Sequence, residues 1–174
     1  MSGTDREEGL ARSLVGSFPF LEGRIAVKRE RRIWAEVELP RFREVFDRAV
    51  DGLGFSIMCI ITGLDEGEDL GFLYHVADES GTILCLHTRA PKSKPRIATV
   101  SDRFPSAHIY ERELVDLFGA EVEGLPPGNR YPLPDGWPEG QYPLRKDWKA
   151  PAYEGEGEEA TEGEAEAPAG EEAR

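Results

Sequence analysis

Tyr110 to Gly119 holds an interlocked set of side chains that could do chemistry: Glu111, Arg112, Glu113 and Asp116 all fall within it at helical spacing. Two carboxylates can share general acid and base work when a pocket drives their pKa values apart. Glu113 and Asp116 stand at i, i+3, and Arg112 lies beside them with Asp116 at i, i+4. Such an Arg–Asp spacing allows pairing along the outside of a helix. Nothing in the sequence supplies the pocket that acid–base chemistry needs. The charge pattern by itself fits a solvated helix whose surface pairs contribute little. Its functional reading is a charged face that receives another protein.

Other chemistries find less support. Cys59 and Cys85 are the only cysteines, and they form no Cys-x-x-Cys pair. Two thiolates cannot hold an iron–sulfur cluster, which takes four protein ligands. The residues read as two buried thiols in a reducing compartment. His75 and His87 fall on neighbouring expected strands near the cysteines, but no Cys or His pair has knuckle or helix spacing for zinc. They read as ordinary sheet histidines. No phosphate loop, dinucleotide fingerprint or nucleophile elbow occurs.

Charge narrows the partners. Residues 151–174 contain nine Glu and one Arg, a net of −8 out of −13 for the chain, so residues 1–150 carry −5. An acidic body argues against nucleic acid or anionic lipid, which draw on clustered Lys and Arg. The one basic cluster, Lys28, Arg29, Arg31 and Arg32, reads as a solvated hairpin turn. The longest apolar run, Ile57 to Ile61, is too short to span a bilayer. The N-terminus lacks the basic, apolar and small-residue progression of a signal peptide. Membrane association is therefore expected only through partner subunits.

The elements that hold these residues follow from periodicity. A helix is expected over 5–15, ended by Gly16. Ile25–Lys28 and Ile33–Leu39 read as strands. Pro40 opens a helix to about Asp51, with Phe42, Val45, Phe46 and Ala49 on one face and Gly52 and Gly54 closing it. Phe55–Thr62 reads as a strand covered on both faces. Leu70–Ala77 and Thr82–Thr88 read as strands joined by a tight loop carrying Gly81. Ala90 to Pro95 reads as a polar connector, and Ile97, Val100 and Phe104 suggest a helical turn. Ser106 then caps a helix over 107–118, ended by Gly119. Its apolar stripe is Tyr110, Leu114, Leu117 and Phe118.

Residues 120–150 are rich in proline and glycine yet anchored by Leu125, Tyr131, Leu133, Trp137, Tyr142, Leu144 and Trp148. That is too aromatic for disorder and too rich in proline for a helix or central strand. It reads as an ordered, extended arm. Arg145, Lys146 and Asp147 sit between Leu144 and Trp148, and Arg145 suits bidentate carboxylate contacts. The arm can pack on its own domain, on a partner, or on both. Residues 151–174 read as a disordered acidic tail. The expected class is α+β: a two-layer domain over 1–119, with an antiparallel sheet and helices on one face, then the arm and the tail.

The run Tyr110-Glu111-Arg112-Glu113-Leu114-Val115-Asp116-Leu117-Phe118-Gly119 resembles the signature of the 30 kDa subunit of respiratory complex I. That family includes relatives in energy-converting, membrane-bound nickel–iron hydrogenases. Leu133-Pro134-Asp135-Gly136-Trp137 and Tyr142-Pro143-Leu144-Arg145-Lys146-Asp147-Trp148 also match its pattern, in order. The resemblance covers roughly residues 20–150. It implies a non-catalytic structural subunit without a cofactor of its own, placed in the hydrophilic arm of a membrane-bound oxidoreductase. That subunit would brace a hydrogenase-like large catalytic subunit in a hetero-oligomer, on the cytoplasmic face of the membrane. Iron–sulfur clusters, and a nickel–iron centre in hydrogenases, would lie in partner subunits. Glu111, Arg112, Glu113, Asp116, Phe118, Trp137, Leu144, Arg145, Lys146, Asp147 and Trp148 would be its docking contacts. Gly124-Leu125-Pro126 stands where quinone-reducing members carry Gly-His-Pro. Pro138 to Pro143 is more similar to the hydrogenase side. The implied parent is thus an energy-converting hydrogenase or ferredoxin-linked complex. The alternatives are the 30 kDa-type subunit of an NADH–quinone oxidoreductase and a free-standing assembly or interaction module.

Overall fold

The computed structural model describes residues 4–150. The expected acidic tail, 151–174, lies outside them. Helix α1 spans Asp5–Ser17 and runs through Gly16. Strands β1 (Ile25–Arg29) and β2 (Arg32–Glu36) form a hairpin. Helix α2 spans Leu39–Leu53, with proline in its first turn and Gly54 as a left-handed cap at φ 78°. Three long strands follow: β3 (Ile57–Asp65), β4 (Asp69–Ala77) and β5 (Ile83–Pro91). Strand β6 (Arg96–Ala98) precedes helix α3 (Ala107–Phe118), and β7 (Glu121–Glu123) follows it.

The main sheet has the order β1-β2-β5-β4-β3. It is not wholly antiparallel, because β2 and β5 pair in parallel. The reason is the α2 crossover. It carries the chain from β2 to the far edge, and the β3-β4-β5 meander then returns β5 alongside β2 in the same direction. A second correction concerns Ile97, expected in a helical turn. It lies in β6, paired in parallel with Val122 of β7, so the chain just after α3 is tied into the domain by its own two-stranded sheet.

One face of the main sheet carries the core. Ile33, Ala35, Ile61, Leu70, Phe72, Tyr74, Val76, Leu84 and Leu86 are buried there, against Phe42, Val45, Phe46 and Ala49 of α2. The Phe42 and Tyr74 rings sit 4.4 Å apart, and Phe46 meets Phe104 edge-on at 6.0 Å. Such aromatic pairs add to the burial of apolar area. Gly63 lets α3 approach the same face: a Cβ there would lie 2.5 Å from Phe118 and 2.8 Å from Leu114. At β3 the other face is open, against the expectation that this strand is covered on both sides. Its outward residues Ile57, Ile60 and Leu64 are 48%, 43% and 37% exposed. Alternation puts Ile60 and Leu64 opposite the core, and a register shift between Met58 and Ile60 brings Ile57 to the same side, where a one-sided sheet ordinarily carries polar groups.

Candidate partner interface

Helix α3 and the segment 125–149 form one construction. The helix ends at Gly119, whose φ of 70° makes a left-handed cap. Its amide bonds Val115 O at 3.0 Å and that of Ala120 bonds Leu114 O at 3.1 Å. Carbonyls in the last turn of a helix lack partners within the helix, and the helix dipole favours a cation there. The arm supplies both. Leu144 N donates to Leu117 O at 3.1 Å. Arg145 Nε donates to Phe118 O at 2.6 Å. The Arg145 guanidinium also lies 4.5 Å over the Tyr142 ring. Only glycine fits beneath: a Cβ on Gly119 would meet that ring at 2.5 Å and Arg145 at 2.8 Å.

The charged residues of the helix are mostly engaged inside the molecule. Glu111 is 0% exposed. Its carboxylate accepts from Thr99 Oγ1 and from the Val100 amide, both at 2.6 Å. Burial raises its pKa above the ordinary glutamate value, against the pull of those two hydrogen bonds. Glu111, expected among the docking contacts, thus serves the loop before α3. Asp116 is also buried. It accepts from Arg130 Nε at 3.1 and 3.2 Å and from Leu133 N at 3.2 Å. The expected Arg112–Asp116 surface pair does not form. Arg112 instead donates to the carbonyls of Pro126 at 2.6 Å and Asn129 at 3.2 Å. Tyr110 donates to Cys59 O on edge strand β3 at 3.1 Å. Among the described residues, the Glu113 side chain has no hydrogen bond or ion pair and is partly buried.

The acid–base reading gains nothing. A cleft of about 610 Å³ lies beside α3, lined by His108, Ile109, Arg112, Asn129 and Tyr131, among others. Neither Glu113 nor Asp116 lines it. Among the described residues no cluster of three His, Cys, Asp or Glu side chains could hold a metal. Cys59 and Cys85 are unpaired, and burial pushes the Cys85 thiol up to about 12.

Further along the arm, the Trp137 and Trp148 rings lie 6.0 Å apart, tilted by 32°. Both indoles donate to Gln141, at its backbone O and its Oε1, each at 2.8 Å. Arg130 Nη1 reaches Trp137 O at 2.9 Å. Leu144 is 52% exposed, and the Lys146 side chain projects without a partner among the described residues. Asp147 is exposed but meets Lys92 Nζ at 3.1 Å.

Sequence reasoning missed Asp65, Lys92 and Arg130. Asp65 lies on the core side of β3 and is nearly buried. It accepts from Gly67 N at 2.9 Å and from Lys146 N at 2.7 Å, and it pairs with Lys92 at 2.6 Å. Lys92 foremost holds its carboxyl far below the usual carboxylate range. In sequence Asp65 is one more acid in an acidic hairpin loop, and nothing there points to a residue 81 positions away.

Comparison with known proteins settles the family. Residues 35–154 match the model of the respiratory-chain NADH dehydrogenase 30 kDa subunit. The chain belongs to this family. The 30 kDa subunit match spans both α3 and the arm. The chain is 33% identical to the membrane-bound hydrogenase subunit beta of Pyrococcus furiosus, over 83% of this chain and 87% of that one. It is 31% identical to a subunit of the F420H2 dehydrogenase of Methanosarcina mazei, over 79% and 88%. It superposes with a TM-score of 0.73 at 31% identity on a chain of a membrane-bound sulfane sulfur reductase, an archaeal respiratory membrane complex, covering 83% and 86%. This is therefore a subunit related to those of complex I. No helix among the described residues is long and apolar enough to cross a membrane.

Proposed function

We propose that this protein is a non-catalytic structural subunit in the hydrophilic arm of a membrane-bound, complex I-related oxidoreductase. It braces a hydrogenase-like large catalytic subunit and carries no cofactor of its own. Iron–sulfur clusters, and a nickel–iron centre if the parent is a hydrogenase, belong to the partners. The chain reaches the cytoplasmic membrane face only through those partners. The observation that carries this reading is the use made of the charged signature. Glu111, Arg112 and Asp116 are spent on holding loops and arm in place, and only Arg112 of the three lines the cleft beside α3. The bare sheet face with Ile57, Ile60 and Leu64 supports a second subunit too, since clustered exposed apolar residues mark protein contacts. Docking groups left free are Glu113, Leu144 and Lys146, with the partly exposed Trp137 and Trp148.

A hydrogenase or ferredoxin-linked parent is favoured over a quinone-reducing one. The Pyrococcus hydrogenase subunit matches over 83% of this chain, whereas NADH–quinone oxidoreductase subunits match over 55% (Acidothermus cellulolyticus) to 67% (Thermus thermophilus). The test is affinity purification from membranes solubilised in mild detergent, with stoichiometry by mass spectrometry. Equimolar recovery with a large subunit and cluster-bearing small subunits is expected. Recovery of this chain alone, or with traces only, would refute the subunit role.

A further inference from the structure

We infer that Asp65 is the positioning residue that sets the arm in its docking conformation before any partner arrives. The inference rests on the reading that the arm meets a partner. Three observations carry it. First, Asp65 is a buried carboxylate with both oxygens engaged: Gly67 N holds one, and Lys92 Nζ and Lys146 N share the other. A carboxylate at that depth needs such donors, because an unpaired buried charge is costly. Removing the arm would take away Lys146 N, so the site is complete only with the arm seated. Second, Lys92 bridges Asp65 to Asp147, so the cation that pairs with the carboxylate also holds the arm one residue beyond Lys146 N. Third, the grip recurs upstream. Asp116 receives Arg130 and Leu133 N, and the end of α3 receives Leu144 N and Arg145.

These contacts take their groups from the inner side of the arm. Its outer side keeps Leu144 exposed, the Lys146 side chain unpaired, and Trp137 and Trp148 fixed against each other by Gln141. A surface ordered beforehand loses less freedom on binding than one that orders at contact. Asp65 therefore acts on docking through the arm, without touching the partner.

Hydrogen–deuterium exchange of the full chain, free of partners, reads the latch. The amides of Leu133, Leu144 and Lys146 are expected to exchange at least about 100-fold slower than in an unstructured peptide. Rates near the unstructured limit would overturn the inference. In Asp65→Ala the Lys146 amide is expected to exchange at least about tenfold faster, while amides of β4 and β5 keep their rates. If that variant fails to fold, Asp65→Val, which removes the acceptor and suits a strand, is expected to show the same selective loss at Lys146. Unchanged protection there would overturn the assignment. A merely structural Asp65 would alter the sheet and the arm together. Association of the folded variant with the purified large subunit is expected to slow by about tenfold. The exchange result stands or falls without a partner, so its failure is separate from failure to recover a complex.

Discussion

Replacing Glu111 separates the structural account of the signature helix from a surface account. In Glu111→Ala the Val100 amide loses its 2.6 Å acceptor inside the protein. Thr99 Oγ1 loses one too, but it already lies 2.7 Å from Ser101 Oγ and can turn there. One orphaned buried donor costs about 1–3 kcal/mol, and the cavity left by the truncated side chain adds to it. The total is about 2–4 kcal/mol, a large part of the 5–15 kcal/mol typical of a domain. For a chain of this size it corresponds to roughly 5–15 °C in Tm. Urea unfolding of the isolated chain measures it. Glu111→Gln keeps an acceptor and should cost much less, and it adds a pH test. Burial raises the folded-state pKa of Glu111 above its ordinary value of 4.5. The folded state then holds the proton more tightly than the unfolded one. The corresponding stability is fully present below the unfolded pKa and is lost as pH rises through the folded pKa. The parent should therefore lose stability relative to Glu111→Gln between about pH 4.5 and that raised value. Asp65 and Asp102, both shifted down by their cationic partners, lose stability as pH falls, but they are common to both proteins and cancel in the difference. An alanine variant within about 0.5 kcal/mol of the parent, with a glutamine variant showing no pH trend, would refute an internal role for Glu111.

Arg145→Glu sets a carboxylate against the Phe118 carbonyl and should cost the isolated chain about 1–3 kcal/mol in urea; an unchanged midpoint would mean that the arm is not seated on the domain. Gly63→Val forces Phe118 and Leu114 away from β3 and should destabilise by at least about 1–3 kcal/mol, read as a lower Tm. Glu113→Lys should leave the isolated chain within about 0.5 kcal/mol of the parent yet weaken assembly in the detergent pull-down; equal recovery would remove Glu113 from the docking surface.

Residues with a local job were readable from the sequence. The apolar spacing of Phe42, Val45, Phe46 and Ala49 marked the buried stripe of α2, because 3.6-residue periodicity needs no knowledge of distant chain. The caps at Gly54 and Gly119 were readable for the same reason. The direction of the β2–β5 pairing was not, since it depends on where α2 delivers β3. Nor was the bare face of β3: an apolar run reads alike whether both sides are covered or only one. Glu111 and Glu113 look equivalent as letters. Rotation about α3 by two positions puts one against Val100 and leaves the other at the surface. The partners of Asp116 and Asp65 are loop and arm groups far along the chain, so no spacing rule could assign them.

The two segments that carry the resemblance to the family are halves of one internal contact. Gly119 leaves room for Tyr142 and Arg145; Phe118 and Leu117 offer the carbonyls that Arg145 and Leu144 fill; Asp116 holds Arg130 and Leu133 N just ahead of Trp137. A helix that ends with unmet carbonyls and an arm too rich in proline to meet its own backbone needs answer each other's deficits. Motifs joined in this way specify how the arm is held, whichever subunit lies beyond it. On the proposed subunit role, a partner would meet what the latch leaves outside: Glu113, Leu144, Lys146 and the outer edges of the two tryptophans. Substitutions there should change which complex the chain enters, whereas substitutions at Glu111, Asp116 or Arg145 should change whether the arm is presented at all.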